Sequence, residues 1–377
     1  MAEKKLKVLF FIDRLLWGGI QSLVYDILKH NDNKRMQIDI LTLDDGKEYP
    51  LANSLEEMGV TLFQLKNVWV RTPLDFPNYF KQVNAFFATH HDYDVVHMHS
   101  SSKNYYILKA AKRHGIPIRV AHAHSTGFMS KNPISIILGN TMKQPLKRYA
   151  THCCGCSKLA CEWLFGKGCI ERKEAIVIPN GIYSKPFIYN EDIRIEVRKE
   201  LKVDDKFVIG NVGRFERQKN HDFLIDIFAE VVKLKKNACL VLVGIGSLQT
   251  ILEQKIATLG LTDKVKFLGF RNDRYRIMQA MDSFVFPSLY EGFGIGAIEA
   301  EASGLPVFAS DNVPNDVKFT PDTCFLSLQQ SAKEWAKAII EKGEIKRKDM
   351  TDEIQRAGFD IQAMIDNLYN MYISKND

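Results

Sequence analysis

The sequence predicts an α/β protein with two Rossmann-like, doubly wound domains that face each other across a cleft. Short apolar runs alternate with amphipathic helical patterns along the chain. The runs are nearly continuous in Val, Ile, Leu and Phe, which is typical of strands buried on both faces of a parallel sheet. This pattern stops at a turn-rich segment, residues 179–186, and starts again at Phe207. With 377 residues, the chain also has the length of two domains.

The first predicted domain covers residues 1–183. Its strands are expected at residues 7–12, 37–43, 61–65, 94–99, 118–122, 151–156 and 175–178. Helices are expected between them at residues 21–30, 51–58, 76–89 and 103–114. Since parallel strands end at one edge of their sheet, ligands should bind in the loops at that edge.

The second predicted domain covers residues 184–359. Its strands are expected at residues 207–212, 239–243, 265–268, 283–286 and 306–309. Its helices are expected at residues 222–234, 248–259, 274–281 and 295–302, and a last helical stretch at residues 354–374. The turn-rich segment between the two series predicts a hinge near residues 180–190.

Composition excludes several classes of protein. Hydrophobic residues make up 46% and charged residues 25%, which argues against a disordered or fibrous chain. No run reaches the roughly 18–20 apolar residues that a membrane-spanning helix needs. The first residues do not read as a signal peptide. We therefore expect the seven cysteines to be reduced thiols and the protein to be cytoplasmic.

Charge is concentrated in the first half. Residues 1–180 carry 24 basic and 16 acidic residues, and the segment between Asp94 and Glu162 has ten basic residues and no acidic one. Such a surface attracts phosphorylated substrates or anionic lipid, unless it is only a set of solvated helix faces. Nucleic acid is not expected as a partner, because no recognised binding motif accompanies the charge.

A membrane surface would be contacted through the apolar residues of this basic segment. The candidates are Ile134, Ile136, Ile137, Leu138, Trp163 and Phe165, beside the basic residues Lys143, Lys147 and Arg148. Core packing explains these apolar residues equally well. Peripheral contact with the inner face of the cytoplasmic membrane is therefore one of two open interpretations.

The most specific motif follows a predicted buried strand and opens a helix. It reads PSLYEGFGIGAIEA over residues 287–300, with Glu291 and Glu299 eight positions apart. Its glycines allow close approach of a ligand to the main chain, and the helix start at Ile295 offers unpaired N–H groups to phosphate oxygens. Glu299 is placed to accept hydrogen bonds from ribose hydroxyls, and Glu291 to face a hexose. These features predict a binding site for a sugar nucleotide.

Two further loops at strand ends carry phosphate-binding chemistry. Arg214 and Lys219 lie in GRFERQKN, after the first strand of the second domain, and together would neutralise a diphosphate. Trp17-Gly18-Gly19 precedes the first helix and exposes main-chain donors there. Neither this turn nor Gly244-Ile245-Gly246 is the dinucleotide fingerprint, and the chain has no GxxxxGK[ST] phosphate loop.

Over essentially its full length the chain resembles the retaining GT-B glycosyltransferases of family 4, in particular their bacterial exopolysaccharide and capsule branch. The matching segments are GGIQSLVYDIL, DVVHMHS, RVAHAHST, VIPNGI, VGRFERQKNHDFLI, LVGIGSL, FLGF and MDSFVFPSLYEGFGIGAIEAEASGLPVFAS. The resemblance implies a GT-B fold whose last helix, residues 360–377, crosses back to the N-terminal domain. It also implies transfer of a sugar from a nucleoside-diphosphate sugar, with UDP as the default nucleotide.

The resemblance makes the first domain, residues 1–183, the acceptor side and assigns the donor site to the second domain. Arg214 and Lys219 would hold the diphosphate and Glu299 the ribose. Glu291, with the main chain of Phe293 and Gly294, would hold the donor sugar.

In the first domain, Gly18 and Gly19 would contact the phosphate or sugar. His124, at the end of RVAHAH, matches the histidine of the family that hydrogen-bonds the donor sugar near the reacting centre. His122 lies two residues away on the same strand face, so either could hold that place. The catalytic residues implied are Glu291, His124, Arg214 and Lys219.

The implied partners are a nucleotide-sugar donor and a saccharide acceptor linked to polyprenyl diphosphate. No cofactor or metal is expected, since the basic pair fills the role of a divalent ion. Cys153, Cys154 and Cys156 lack the paired spacing of a zinc site, so small-residue packing is the better interpretation. Paired histidines at 97 and 99 and at 122 and 124 are likewise expected not to bind metal.

The sequence is also compatible with three other functions. A GT-B-fold epimerase or phosphorylase would use the same donor site without a lipid-linked acceptor. A non-catalytic carbohydrate-binding protein would keep the fold without turnover, against which the two glutamates and the basic pair argue. An NAD-dependent oxidoreductase suits the sheets but lacks the glycine fingerprint.

Overall fold

The computed structural model describes residues 5–16, 18–66, 68, 73–128, 132–343 and 345–374. Trp17, which begins the predicted glycine turn, and residues 375–377, at the end of the predicted last helix, lie outside them. Contacts divide the chain into two units. The chain leaves the first unit between Gly181 and Ile182 and returns to it between Asp360 and Ile361.

The first unit is built on a parallel sheet with strand order β3-β2-β1-β4-β5-β6-β7. Its strands are β1 (Leu6–Ile12), β2 (Met36–Leu43), β3 (Leu62–Leu65), β4 (Val95–His99), β5 (Ile118–Ala123), β6 (His152–Gly155) and β7 (Ile176–Val177). Its helices are α1 (Gly19–His30), α2 (Pro50–Glu57), α3 (Phe76–Thr89), α4 (Tyr106–Arg113), α5 (Pro133–Thr141), α6 (Lys143–Tyr149) and α7 (Lys158–Phe165). The central strands are buried on both faces, as their nearly continuous apolar sequences predict.

The second unit has a parallel sheet with strand order β10-β9-β8-β11-β12-β13. Its strands are β8 (Phe207–Val212), β9 (Ala238–Val243), β10 (Val265–Phe267), β11 (Ser283–Phe286), β12 (Val307–Ser310) and β13 (Thr323–Leu326). Its helices are α8 (Glu191–Leu201), α9 (His221–Leu234), α10 (Gln249–Thr258), α11 (Arg274–Ala280), α12 (Ile295–Ala302), α13 (Ala332–Lys342) and α14 (Thr351–Arg356). Both sheets therefore confirm the predicted doubly wound α/β class.

The last helix, α15 (Ile361–Ile373), belongs to the first unit, as predicted for a chain that crosses back. Its Tyr372 hydroxyl lies 2.5 Å from Nδ1 of His97 on β4, and Asp366 pairs with Arg35. The single helical stretch predicted at 354–374 is wrong, because Gly358 adopts φ +74° between α14 and α15. Such a left-handed glycine commonly ends a helix.

Several elements were not among those predicted from the sequence: β13, α5, α6, α7, α8 and α13. Strand β13 reads Thr-Cys-Phe-Leu and is only partly buried, so it lacks the apolar run that marks the other strands. Helix α13 had a readable signal, since Ser331 and Glu334 form a capping box at its start.

Candidate functional site

The two most specific motifs of the second unit are joined by an ion pair. Lys219 Nζ donates to Glu291 Oε1 at 2.7 Å, and Gln218 Nε2 donates to Glu291 Oε2 at 3.2 Å. The main chain adds a hydrogen bond from Leu289 N to the carbonyl oxygen of Gln218 at 2.8 Å. The loop after β8 is thus fixed to the loop after β11.

Sheet topology explains why these loops meet. Strands β8 and β11 are neighbours and run in parallel, so their carboxyl ends lie at one edge. Asn220 adopts a left-handed turn with φ +55°, and its side chain donates to the carbonyl oxygen of Pro287 at 3.1 Å. The Lys219 side chain is 18% exposed and that of Glu291 is 7% exposed. The pair is therefore largely shielded from water, and removing either partner alone would leave a poorly solvated charge.

The loop after β8, residues 213–220, is called the basic loop here. Arg214 is its more available cation. It is exposed, and within the described ranges its guanidinium makes no hydrogen bond or ion pair. Its carbonyl oxygen accepts from Glu216 N at 2.7 Å, which fixes the backbone that carries the side chain. An Arg with an uncommitted planar fork on a fixed loop suits a phosphate ligand.

Two glycines after β9 allow the basic loop to lie against its neighbour. A Cβ on Gly244, which has φ +148°, would stand 2.0 Å from the carbonyl oxygen of Gly213. A Cβ on Gly246 would stand 2.4 Å from the carbonyl oxygen of Phe215. These glycines therefore allow the close packing of the two loops.

The start of α12 presents main-chain donors beside Glu291. Gly294 precedes the helix with φ +106°, where a Cβ would contact Val313 at 3.2 Å. The first turn carries no acidic residue and Gly294 provides no capping side chain, so the early N–H groups suit an anion. The side chain of Phe293 is buried against Phe359 at 5.6 Å between ring centroids, which leaves its main chain for the predicted sugar contact.

Glu299, predicted to bind ribose, is held by a partner that sequence reasoning missed. Arg274 on α11 donates to it through Nε and Nη2, at 3.1 and 2.7 Å to Oε1. Glu299 is 4% exposed. The arginine lies 25 positions earlier, and no local pattern links the two residues. A fixed carboxylate of this kind has little freedom to turn away from a ligand.

A third glutamate of α12 is buried more deeply. Glu301 is fully buried, and its Oε2 accepts from the main-chain N–H groups of Phe319 and Thr320 at 3.1 and 2.9 Å. Burial raises the pKa of Glu301 to about 7. The two hydrogen bonds connect α12 to the segment after β12. Burial destabilises the ionised carboxylate relative to the neutral carboxyl group.

Glu301→Gln should therefore stabilise the protein above pH 7. In the wild type, the free energy of unfolding contributed by Glu301 falls between pH 4.5 and 7, because only the unfolded chain has lost the proton there. The full loss is about 3 kcal/mol. Glutamine accepts the same two main-chain hydrogen bonds without a charge. Urea unfolding at pH 5 and pH 8 should show the gain mainly at pH 8, and Glu341→Gln on the surface of α13 is the control. An equal gain at both pH values would contradict this account.

In the first unit, the predicted glycine turn begins α1. Gly18 has extended backbone angles and precedes the helix without a side-chain cap, and the first turn has no acidic residue. A Cβ on Gly19 would meet nothing within 4 Å, so Gly19 faces open space. Gln21 Nε2 donates to the carbonyl oxygen of Arg14 at 2.7 Å and braces the turn. The turn thus offers main-chain donors, as its predicted role requires.

Four histidines form two hydrogen-bonded pairs at the ends of β4 and β5. His97 Nε2 lies 3.0 Å from His122 Nδ1, and His99 Nδ1 lies 2.9 Å from His124 Nε2. His122 is 1% exposed, whereas His124 is partly exposed. Burial lowers the pKa of His124 to about 3, so the ring is neutral near pH 7. Nε2 of His124 is paired with His99, and its Nδ1 is buried without a partner among the described residues, so the sugar contact of His124 stays a prediction, with His122 as its alternative.

The histidines are close enough to raise the question of a metal ion. His97, His99 and His122 each have a ring nitrogen within 4.8 Å of the others. However, the rings of His97 and His99 stack with an interplanar angle of 2° and centroids 4.2 Å apart. Nitrogen lone pairs lie in the ring plane, so stacked rings direct them in parallel rather than toward one point. Burial lowers the pKa of all three rings, but a neutral imidazole either packs in a core or binds a metal, so the ring geometry is what argues against a metal site.

Comparison with known proteins identifies the family. Residues 17–184 match the family described as Glycosyltransferase Family 4, and residues 192–357 match Glycosyl transferases group 1. The putative glycosyltransferase EpsF of Bacillus subtilis (strain 168) is 30% identical over 383 residues, which cover 99% of this chain and 97% of EpsF. The chain belongs to glycosyltransferase family 4. The recognition made from the motifs is confirmed.

Two further comparisons extend this family assignment. The Escherichia coli UDP-Gal:alpha-D-GlcNAc-diphosphoundecaprenol alpha-1,3-galactosyltransferase is 30% identical over 231 residues, 58% of each chain. The crystal structure of Anabaena HepE in complex with UDP and glucose has a TM-score of 0.79 at 23% identity, over 98% of this chain and 100% of HepE. The likeness to HepE shows that this family 4 glycosyltransferase has the GT-B fold.

The cysteines of the glycosyltransferase are packed thiols. Cys154, Cys156, Cys161 and Cys169 are buried, and none of the seven is in a disulfide among the described residues. A Cβ on Gly155 would stand 2.7 Å from Cys161 Sγ, so β6 and α7 approach closely and admit only small side chains. Burial raises the pKa of Cys153 and of Cys161 to about 12. This packing explains why position 155 is a glycine, whereas the sequence offers no reason for the cysteines beside it.

Two basic residues predicted to face lipid are engaged within the glycosyltransferase. Lys143 Nζ donates to the carbonyl oxygen of Trp163 at 2.7 Å, and Lys147 pairs with Glu174 at 2.9 Å. Ile134 and Ile137 on α5 are each 63% exposed. Among the described helices, none has the length and apolar character to cross a bilayer. Peripheral membrane contact stays a prediction, with the α5 isoleucines as its apolar part.

Proposed function

We propose that the protein is a retaining glycosyltransferase. It transfers a sugar from a nucleoside-diphosphate sugar, with UDP as the nucleotide, to a hydroxyl of a saccharide acceptor. The acceptor is linked to polyprenyl diphosphate, and the product enters exopolysaccharide or capsule synthesis. The observation that carries the proposal is the Lys219–Glu291 ion pair, which joins a basic loop to a glycine-rich helix start at one sheet edge. HepE, which shares the fold, was crystallised with UDP and glucose.

The diphosphate is assigned to the basic loop and the start of α12. Arg214 supplies a planar fork, and the first N–H groups of α12, from Ile295 onward, supply oriented dipoles. Lys219 adds positive charge while it holds Glu291 in place. Glu299, oriented by Arg274, accepts hydrogen bonds from the ribose hydroxyls.

The donor sugar is assigned to Glu291 and the main chain of Phe293 and Gly294. His124, neutral because of burial, donates a hydrogen bond to that sugar, and Gly18 and Gly19 contact the phosphate or sugar. The site needs no metal in this scheme, because Arg214 and Lys219 supply positive charge to the leaving group.

The reaction breaks the bond between the anomeric carbon and the diphosphate oxygen and forms one to the acceptor oxygen. Negative charge develops on the departing diphosphate, so Arg214, Lys219 and the first N–H groups of α12 stabilise the transition state more than the ground state. Attack on the face that the diphosphate leaves gives retention. The departing phosphate oxygen then takes the acceptor proton.

Product stereochemistry tests this proposal. We expect a UDP-α-sugar to give an α-linked product with a lipid-diphosphate saccharide acceptor, read from the anomeric proton coupling in the ¹H NMR spectrum. A β-linked product would contradict retention. Conversion of the donor to an isomer without acceptor would indicate an epimerase, and nucleotide binding without any turnover would indicate a binding protein.

A further inference from the structure

The loop between β11 and α12 lies against a second loop of the same unit. The first loop, residues 287–294, is called the donor loop, because the donor sugar is assigned to it. The segment after β12, residues 311–320, is called the supporting segment. Strands β11 and β12 are parallel neighbours, so both loops leave the sheet at one edge. Asn312 Nδ2 donates to the carbonyl oxygen of Leu289 at 3.0 Å, which joins the start of the supporting segment to the donor loop.

Apolar contacts join the rest of the supporting segment to the end of the donor loop. A Cβ on Gly294 would stand 3.5 Å from Val317, so this buried valine lies against the glycine. The rings of Phe293 and Phe319 both pack on Phe359, with centroids 5.6 and 5.7 Å away. A shift of the supporting segment would therefore displace the main chain of Phe293 and Gly294.

Glu301 on α12 holds the far end of the supporting segment. Its Oε2 accepts hydrogen bonds from the main-chain N–H groups of Phe319 and Thr320 at 3.1 and 2.9 Å. The carboxyl group thus connects α12, through the supporting segment, to the donor loop that precedes the same helix. Glu301 is fully buried, so it acts through the residues that it holds and not by contact with a ligand.

The charge of Glu301 sets how firmly this end is held. Burial raises the pKa of the carboxyl group from 4.5 to about 7. The closed segment, which keeps Glu301 buried, is therefore most stable when the carboxyl group is neutral. Relative to an open segment that admits water, its stability falls as the pH rises from 4.5 to 7 and is constant above 7.

Charged residues of both signs surround Glu301. A cavity of about 20 Å³ lies beside it, and Asp322, Lys346 and Lys348 are among the lining residues. Lys348 is paired with Glu353 at 2.9 Å, which leaves Asp322 and Lys346 as opposite charges at the cavity. Burial is the largest influence on the pKa of Glu301, and the hydrogen bonds that it accepts act in the opposite direction. The carboxyl group therefore titrates according to whether it is buried or open to water.

We propose that Glu301 is a positioning residue for the donor loop. Its neutral carboxyl group holds the supporting segment against Phe293 and Gly294, and its ionisation weakens that hold. The main chain assigned to the donor sugar is then less firmly fixed as the pH rises toward 7. That the donor loop binds a sugar rests on the proposed function, whereas the hold on the loop does not.

Hydrogen–deuterium exchange of the protein without nucleotide tests the hold. In the wild type, amides of the supporting segment and the donor loop should be protected about tenfold more strongly at pH 5.5 than at pH 7.5, after correction for intrinsic rates. In Glu301→Gln, which keeps both hydrogen bonds without a titrating group, protection should be the same at both pH values. Glu341→Gln, at an exposed position of α13, is the matched control and should behave as the wild type.

Calorimetric titration with UDP-glucose, UDP-galactose and UDP-N-acetylglucosamine tests the consequence for the donor site. The diphosphate of these donors does not titrate between pH 5.5 and 7.5. For the donor that binds most tightly, the dissociation constant should rise about threefold over this range in the wild type and in Glu341→Gln. In Glu301→Gln it should stay constant, with tighter binding than the wild type at pH 7.5.

Three results would overturn the positioning role of Glu301. They are the same pH dependence of exchange in the wild type and Glu301→Gln, a change of exchange that stops short of the donor loop, and equal donor affinity of the two proteins at pH 7.5. Absence of binding by all three donors would instead contradict the proposed function. Exchange in the protein without nucleotide would then still decide whether Glu301 holds the donor loop.

Discussion

Glu291→Gln is expected to lower the rate of glycosyl transfer by about 100-fold or more while nucleotide affinity is kept. Glutamine can still accept a hydrogen bond from Lys219 Nζ, which lies 2.7 Å from Glu291 Oε1. The substitution therefore keeps the hydrogen bond from Lys219 that joins the two loops, while it removes the negative charge and the second acceptor oxygen, which receives the longer hydrogen bond from Gln218 Nε2 at 3.2 Å. Without its partner charge, Lys219 would attract a diphosphate at least as strongly. We expect kcat to fall and the dissociation constant for UDP to stay constant or decrease.

Steady-state transfer kinetics and calorimetric titration with UDP measure the two effects of Glu291→Gln separately. Glu196→Gln is the control, since it removes the charge of an exposed pair with Arg276 in the same unit. A parallel loss of UDP affinity and turnover would contradict the division of roles between Glu291 and the basic loop. A wild-type turnover number would remove Glu291 from the catalytic machinery.

Gly244→Ala is expected to be strongly destabilising, by about 4 kcal/mol or enough to prevent folding. The methyl group would stand 2.0 Å from the carbonyl oxygen of Gly213, and the residue has φ +148°. The obstacle is backbone, so no side-chain rotation relieves it. Because the loop after β8 carries Arg214, nucleotide binding should fall with stability. Denaturant unfolding of the purified variant measures the loss.

Gly260→Ala is the matched control for this substitution. Gly260 also has a left-handed backbone, with φ +66°, but a Cβ there would meet nothing within 4 Å. The cost should be only the conformational strain, about 1 kcal/mol. Equal losses of stability in the two variants would show that the close approach of the loops has no energetic role.

The sequence predicts the fold well because its signals are local. Nearly continuous apolar runs mark β1, β8 and β9, and helices such as α3 at Phe76–Thr89 and α12 at Ile295–Ala302 begin and end where their patterns do. Short elements with mixed exposure, such as β13, carry no such pattern. Helix α5 begins at Pro133 after the capping residue Asn132. This helix-start signal is present in the sequence, but it is weaker than the apolar pattern of the residues that follow it.

The site is predictable only in part, because its pairs depend on tertiary structure. The glycine-rich helix start and the basic loop are read from contiguous motifs. Lys219 and Glu291 lie 72 positions apart, and their pairing follows from the adjacency of β8 and β11. Arg274 belongs to no motif, and its role follows only from its ion pair with Glu299.

Thermal unfolding with UDP, GDP, ADP and NAD tests the central claim, that this chain binds a nucleoside diphosphate through the loop after β8. One diphosphate at about 100 times its dissociation constant should add about 2.7 kcal/mol to the free energy of unfolding and raise the midpoint temperature of unfolding. Arg214→Ala should remove most of this rise, whereas Arg217→Ala, an exposed arginine of the same loop, should keep it. No rise with any diphosphate, a rise with NAD alone, or an undiminished rise in Arg214→Ala would contradict the account.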